Sequence, residues 1–156
     1  MRVIAIDPGY GRCGIAIIEK NSGKETWIYS DCIETYPKDG FVERLAQIVA
    51  ECERLIAEHK PDALVMERLF FNTNRTTAMQ VAEVRGALLN AAAVAGLPTF
   101  EYTPSQVKSA TTGFGKADKK QIISMLHMLV KIDKAVKHDD EYDAIAVGIT
   151  HLAHIR

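Results

Sequence analysis

Cysteine is scarce here: Cys13, Cys32 and Cys52 are the only three in 156 residues, odd in number, far apart and without a Cys-x-x-Cys pair. That argues against a disulfide framework and a zinc site of the usual spacing, leaving buried, reduced thiols as the expectation. Long apolar runs are missing too. Charges interrupt every hydrophobic stretch well before the ~20 residues a membrane-spanning helix needs. Met1 leads straight into a strand-like run, without the cationic start and cleavage site of a signal peptide. A cytoplasmic protein with no membrane partner is expected. Repeats, linkers and low-complexity segments are absent, and 156 residues give room for one substantial core, so one domain over residues 1–156 is predicted. Net charge is lacking as well: the formal value of −1 looks unpromising for binding nucleic acid.

What is present changes that picture locally. Between Ser105 and Lys137 there are seven lysines (108, 116, 119, 120, 131, 134 and 137) against Asp118 and Asp133 alone, an excess of five positive charges on an otherwise acidic chain. One basic surface is what phosphate binding needs; solvated helix faces are the plainer account.

The hydrophobic pattern gives the order of elements. Arg2-Val-Ile-Ala-Ile-Asp7 is a short β-branched run stopped by Pro8-Gly9, so it reads as a buried strand ending at an acid. Gly14–Ile18 and Thr26–Ile33, separated by the turn residues Asn21-Ser-Gly23, complete a three-strand meander. From Phe41 the spacing changes to three and four residues through Leu45, Ile48, Val49, Cys52, Leu55 and Ile56, the stripe of an amphipathic helix. Ala63-Leu-Val-Met66 is a fourth strand, again ending at an acid, Glu67. An Ala-rich helix over 74–96, a fifth strand over 97–102, a short helix over 105–110, a Gly113-Phe-Gly115 turn, a helix through Ile122 to Leu129 and a last helix from about Asp140 follow. Three strands, helix, strand, helix, strand, helices is an α/β pattern with a five-stranded mixed sheet flanked by helices, the order of the ribonuclease H-like fold.

A carboxylate where a buried strand emerges is fixed by the sheet while its oxygens can still meet solvent or metal, which singles out Asp7 and Glu67. Asp7 could merely cap the Pro-Gly turn, and Arg68 could be a structural counter-ion for a buried Glu67. The third group of acids is His138-Asp-Asp-Glu-Tyr-Asp143, at the start of an apolar helix where the macrodipole favours acids on its own account. Asp140 and Asp143, three apart, share a helical face; so do Asp139 and Asp143, and periodicity does not choose between the pairs. Up to four carboxylates suit Mg²⁺ or Mn²⁺ rather than zinc. Two such ions ~3.5–4 Å apart activate water and stabilise the leaving oxygen in phosphodiester hydrolysis.

Ile4-Ala-Ile-Asp-Pro-Gly9, Gly14-Ile-Ala-Ile, Val65-Met-Glu-Arg-Leu-Phe70 and Asp140-Glu-Tyr-Asp-Ala-Ile-Ala-Val-Gly-Ile-Thr-His151, in this order and separation, resemble the RuvC family of Holliday-junction resolvases nearly end to end. The resemblance implies an endonuclease that resolves four-way DNA junctions in recombination and repair by paired, symmetric nicks, with Asp7, Glu67, Asp140 and Asp143 as catalytic ligands of Mg²⁺, two ions per site, Mn²⁺ substituting. It implies a homodimer with the Ala-rich helix at the interface, and in some relatives a branch-migration helicase complex as partner. Phe70 matches an aromatic that stacks on bases at the junction centre; Lys108 and Lys119 match basic positions near the scissile phosphate or the DNA backbone. Asn74 and Arg75 fall in the loop after Phe70, within reach of DNA. His151 recurs in the closing helix, where packing explains it as well as a role in the site; His154 carries no signal.

The chain departs from some relatives in having no basic tail after the last helix and a slightly acidic total charge, so modest, salt-sensitive DNA affinity is expected. The nearest rival is a ribonuclease H-like nuclease processing RNA, which also begins with an Asp-Pro-Gly strand. A sugar-kinase relative would need a second domain and a second glycine-rich phosphate loop. A non-enzymatic DNA-binding scaffold is opposed by the complete set of acids.

Overall fold

A computed structural model of the chain describes residues 1–68 and 75–155. The strands are β1 (Arg2–Asp7), β2 (Arg12–Asn21), β3 (Lys24–Glu34), β4 (Ala63–Glu67) and β5 (Thr99–Tyr102); the helices are α1 (Phe41–His59), α2 (Arg75–Val94), α3 (Pro104–Thr112), α4 (Lys119–Leu129) and α5 (Asp139–His154). The strands form one mixed sheet in the order β3-β2-β1-β4-β5. β1, β2 and β3 pair antiparallel, and β1, β4 and β5 pair parallel. This is the predicted ribonuclease H-like sheet.

Side chains of a strand alternate between faces, and here both faces are covered, which is why β1 reads as one continuous apolar run. Val3, Ala5, Ala16, Ile18, Ala63 and Val65 pack with Val107, Ile122, Leu126 and Ala144 beneath α3, α4 and α5. Ile4, Ile6, Ile15, Ile17, Leu64 and Met66 pack with Ile48, Leu55, Val84 and Leu88 beneath α1 and α2. Asp7 continues the Val3–Ala5 row and Glu67 continues the Ala63–Val65 row, so both acids fall on the α5 side. Because Ile6 pairs with Met66, Asp7 and Glu67 leave the sheet side by side.

The start of α5 is pressed against the same spot. Gly14, the register partner of Asp7, lies so close to this helix that a Cβ there would stand 1.8 Å from the Asp140 carbonyl oxygen. From the other side Glu141, 1 % exposed, ties α5 to β3: its Oε1 accepts from Ser30 Oγ at 2.5 Å and pairs with Lys134 Nζ at 3.0 Å, while Trp27 Nε1 donates to Ser30 Oγ at 2.8 Å. The turn after β1 is held by Thr35, whose Oγ1 donates to Tyr10 O and accepts from Arg44 Nε, and by the Arg44 guanidinium 4.6 Å from the Tyr10 ring centre. Cys13, Cys32 and Cys52 are free and buried, as expected. No helix among the described residues is long and apolar enough to cross a membrane.

Candidate active site

Asp7, Glu67, Lys108, Lys119 and Asp143 line one cleft of about 320 Å³, walled by Val107, Ile122 and Ala146. β1 and β4 supply the first two acids, α5 supplies Asp143, and α3 and α4 supply the lysines. Lys119 donates to Asp143 Oδ2 at 2.6 Å and lies 3.7 Å from Asp139 Oδ2. Asp140 sits at the edge, its Oδ2 3.2 Å from Arg12 Nε. That contact is an ion pair without a hydrogen bond, and this buried oxygen has no hydrogen-bond partner among the described residues.

Crowding of like charge in a half-dry cleft favours the protonated acids. Asp7 is pushed from 3.8 up to about 7, first by burial, then by the charges of Asp143, Glu67 and Asp140, with Lys119 pulling the other way. Glu67 is raised by burial and by Asp143, against Lys108 and Lys119. Asp143 is also raised, by burial above all, although its hydrogen bond from Lys119 opposes this. Burial works against the Lys119 ammonium, but the hydrogen bond to Asp143 and the surrounding acids outweigh it and raise its pKa.

The donor set fits a hard divalent cation. Carboxylates that repel one another, and the Asp140 Oδ2 that has an ion pair with Arg12 but no hydrogen bond, gain from added positive charge. Among the described residues no three acids already converge as a finished cage; the Lys119 ammonium and Arg12 guanidinium occupy their oxygens instead.

The structure therefore gathers Asp7, Glu67, Asp143, Lys108 and Lys119, with Asp140 beside them. Neither Asp139 nor Asp140 lines the cleft: Asp140 pairs with Arg12 and its charge bears on Asp7, whereas Asp139, 68 % exposed, stands 3.7 Å from Lys119. Arg68 is not the counter-ion of Glu67, since it pairs with Glu101 at 3.5 Å. Phe70, Asn74 and the side chain of Arg75 lie outside the described residues. The basic segment is less open than its composition suggests. Lys131 is bound to Asp133, Lys134 to Glu141 and Lys137 to Glu34 at 2.8–3.0 Å. His151 is buried, with Nδ1 3.0 Å from Tyr102 Oη and its ring 4.5 Å from Phe100, a packing role. Arg12 and Glu141 were missed by sequence reasoning; no spacing rule marks an arginine in a turn, and Glu141 looks like any other acid of a helix start.

The family model described as crossover junction endodeoxyribonuclease RuvC matches residues 3–151. A crossover junction endodeoxyribonuclease RuvC of Alkaliphilus metalliredigens is 42% identical over 151 residues, 97% of this chain and 92% of its own. One from Thermosipho melanesiensis is 44% identical over 148 residues, 95% and 94% of the two chains. The solved structure of Thermus thermophilus RuvC in complex with Holliday junction substrate superposes with a TM-score of 0.90 at 31% identity, covering 97% of this chain and 92% of that one.

Proposed function

Since the chain belongs to the RuvC family of crossover junction endodeoxyribonucleases, we propose that it resolves Holliday junctions by metal-dependent hydrolysis of two symmetric phosphodiesters. The observation that carries this is the cleft itself: two acids from adjacent parallel strands and one from a helix face two lysines, in a chain whose relative is solved with a Holliday junction. The same similarity favours the DNA junction over the RNA reading.

Asp7, Glu67, Asp140 and Asp143 would hold the ions, Mg²⁺ by the hardness of the donor set, and two of them by the number of acids. When bound, the ions supply an activated water and charge stabilisation of the leaving sugar oxygen. The chain's own residues do the rest. Lys108 and Lys119 draw in and orient the scissile phosphate. The sheet holds Asp7 and Glu67 at fixed spacing, and the hydrophobic walls Val107, Ile122 and Ala146 limit water to what the reaction consumes. In that reaction the water oxygen bonds to phosphorus and its proton passes to solvent, while the bond from phosphorus to the leaving sugar oxygen breaks and that oxygen takes a proton from solvent to become a hydroxyl.

Two cuts at matched positions need two sites related by the two-fold symmetry of the junction, which an isologous homodimer provides. Met79 and Val94, 70 % and 79 % exposed on α2, support that helix as the meeting face. Phe70, Asn74 and Arg75 remain proposed DNA contacts on family grounds, and the cytoplasm is the proposed compartment.

The test is incubation of a synthetic four-way junction, beside duplex, single-stranded and RNA substrates, with Mg²⁺ and with EDTA. Paired symmetric nicks in the junction alone, abolished by EDTA, are expected. Cutting of RNA with the junction intact would keep the metal site and overturn the substrate.

A further inference from the structure

A second cleft, of about 440 Å³, opens on the other side of α4. Lys119 and Ile122 face the acidic cleft, whereas Lys120, Gln121 and Ser124 line the second one with Thr112, Phe114 and Met125. At 100° per residue these are opposite faces of the first turns of α4.

Phe114 is 58 % exposed, yet it is rigidly presented. α3 ends at Gly113 in the left-handed region (φ 77°), and Thr112 Oγ1 donates to Lys108 O at 2.8 Å while accepting from Phe114 N at 3.1 Å. Ala117 N donates to Phe114 O at 3.0 Å. Bonds to its N and O on either side hold the Phe114 backbone in place, and its exposed ring forms one wall of the cleft. The charges around it point the same way. Lys116 and Lys120 take part in no ion pair among the described residues, unlike Lys131, Lys134 and Lys137. The nearby Asp118 is engaged in capping α4, accepting from Gln121 N at 2.9 Å.

We propose that this cleft is a nucleotide subsite in which Phe114 stacks on a base of the cut strand and Lys120 holds the adjoining phosphate. The proposal rests on the junction-cutting reading above. A helix with side chains is about 10–12 Å across, and phosphates along one strand advance about 3.4 Å each. A strand leaving the acidic cleft over α4 therefore reaches Phe114 about three nucleotides from the scissile phosphate. Ser124 presents its hydroxyl to the edge of that base, while the Gln121 amide oxygen is held by Asp118 N at 2.9 Å, so the subsite contributes to the preference for sequence beside the cut.

The experiment places 2-aminopurine at successive positions flanking the cut in a synthetic junction and follows its fluorescence on binding in EDTA, so that no strand is cleaved. One position about three nucleotides from the cut should be quenched by wild-type protein and not by Phe114→Leu. That variant should bind the junction at least about 5-fold more weakly, with an unchanged melting temperature. Lys120→Gln should weaken binding to all junction sequences alike and lower the salt slope by about 1. If Phe114→Leu quenches and binds like wild type while wild type still cuts junctions, the subsite is refuted and the function stands. A large fall in melting temperature would make Phe114 a structural residue and equally refute it. A wild-type protein that neither binds nor cuts the junction would instead fail the functional reading.

Discussion

Lys119 reaches across the cleft to Asp143, its ammonium 2.6 Å from Oδ2, and so places a resident cation among the acids proposed to hold metal. Mg²⁺ and this ammonium answer the same electrostatic need. Replacing Lys119 by Gln should lower the melting temperature in EDTA by a few degrees, because Asp143, Asp7 and Glu67 lose their counter-charge. Mg²⁺ should then raise it by more than in wild type, since an ion that binds only the folded state stabilises in proportion to its affinity. Thermal unfolding with and without Mg²⁺ checks this; an equal Mg²⁺ increment in both proteins would mean that the lysine and the ion do not share a place.

Asp7 should show a conflict between stability and function. Its folded pKa of about 7 exceeds the ordinary 3.8, so the folded state binds the extra proton and loses stability as pH rises from about 3.8 to 7. Asp7→Asn removes that penalty. At pH 8 in EDTA it should melt above wild type, by roughly 2–4 °C for each kcal/mol recovered, while junction binding is kept and cutting falls to background. A lower melting temperature would show that the carboxylate is stabilising as it stands.

Gly14 admits no side chain. Gly14→Ala must push α5 away from β2, since the added carbon would stand 1.8 Å from Asp140 O. Overpacking of this kind costs about 1–3 kcal/mol, and it also carries Asp140 and Asp143 away from Asp7. A loss of cutting of at least tenfold is expected, in excess of what the drop in melting temperature explains at the assay temperature. Full activity would show that the position of α5 is not critical.

His151 gives a pH dependence of opposite sense to Asp7. Burial holds its pKa below 6.5, with the charge of His154 adding to the effect. The unfolded chain then takes up a proton that the folded chain refuses, so the stability present above pH 6.5 is lost as pH falls through the window beneath it. The difference in melting temperature between wild type and His151→Gln should shrink on acidification from pH 7 to 5. A constant difference would mean that the imidazole is free to protonate.

The strand-borne half of the site was legible in the sequence because strand parity is simple: an acid one step beyond a buried row keeps its face, as with Asp7 after Ala5 and Glu67 after Val65. The helix-borne half was not. Which of Asp139, Asp140, Glu141 and Asp143 turns inward depends on the rotation of α5 about its axis, set by contacts far away in the chain at Gly14, Ser30 and Lys134. Lysine counting overstated the free charge for a similar reason, since Lys134 and Lys137 are paired with Glu141 and Glu34, neither of which lies in the window from Ser105 to Lys137.

The Ile6–Met66 register has one more consequence. Slipping β4 by a single residue would turn Glu67 toward the opposite face and drive its charge against the α1 and α2 core. Juxtaposition of Asp7 with Glu67 and correct strand pairing are thus one event. In a chain of a junction-endonuclease family, a newly made copy therefore brings its proposed metal-holding acids together only on completing its sheet.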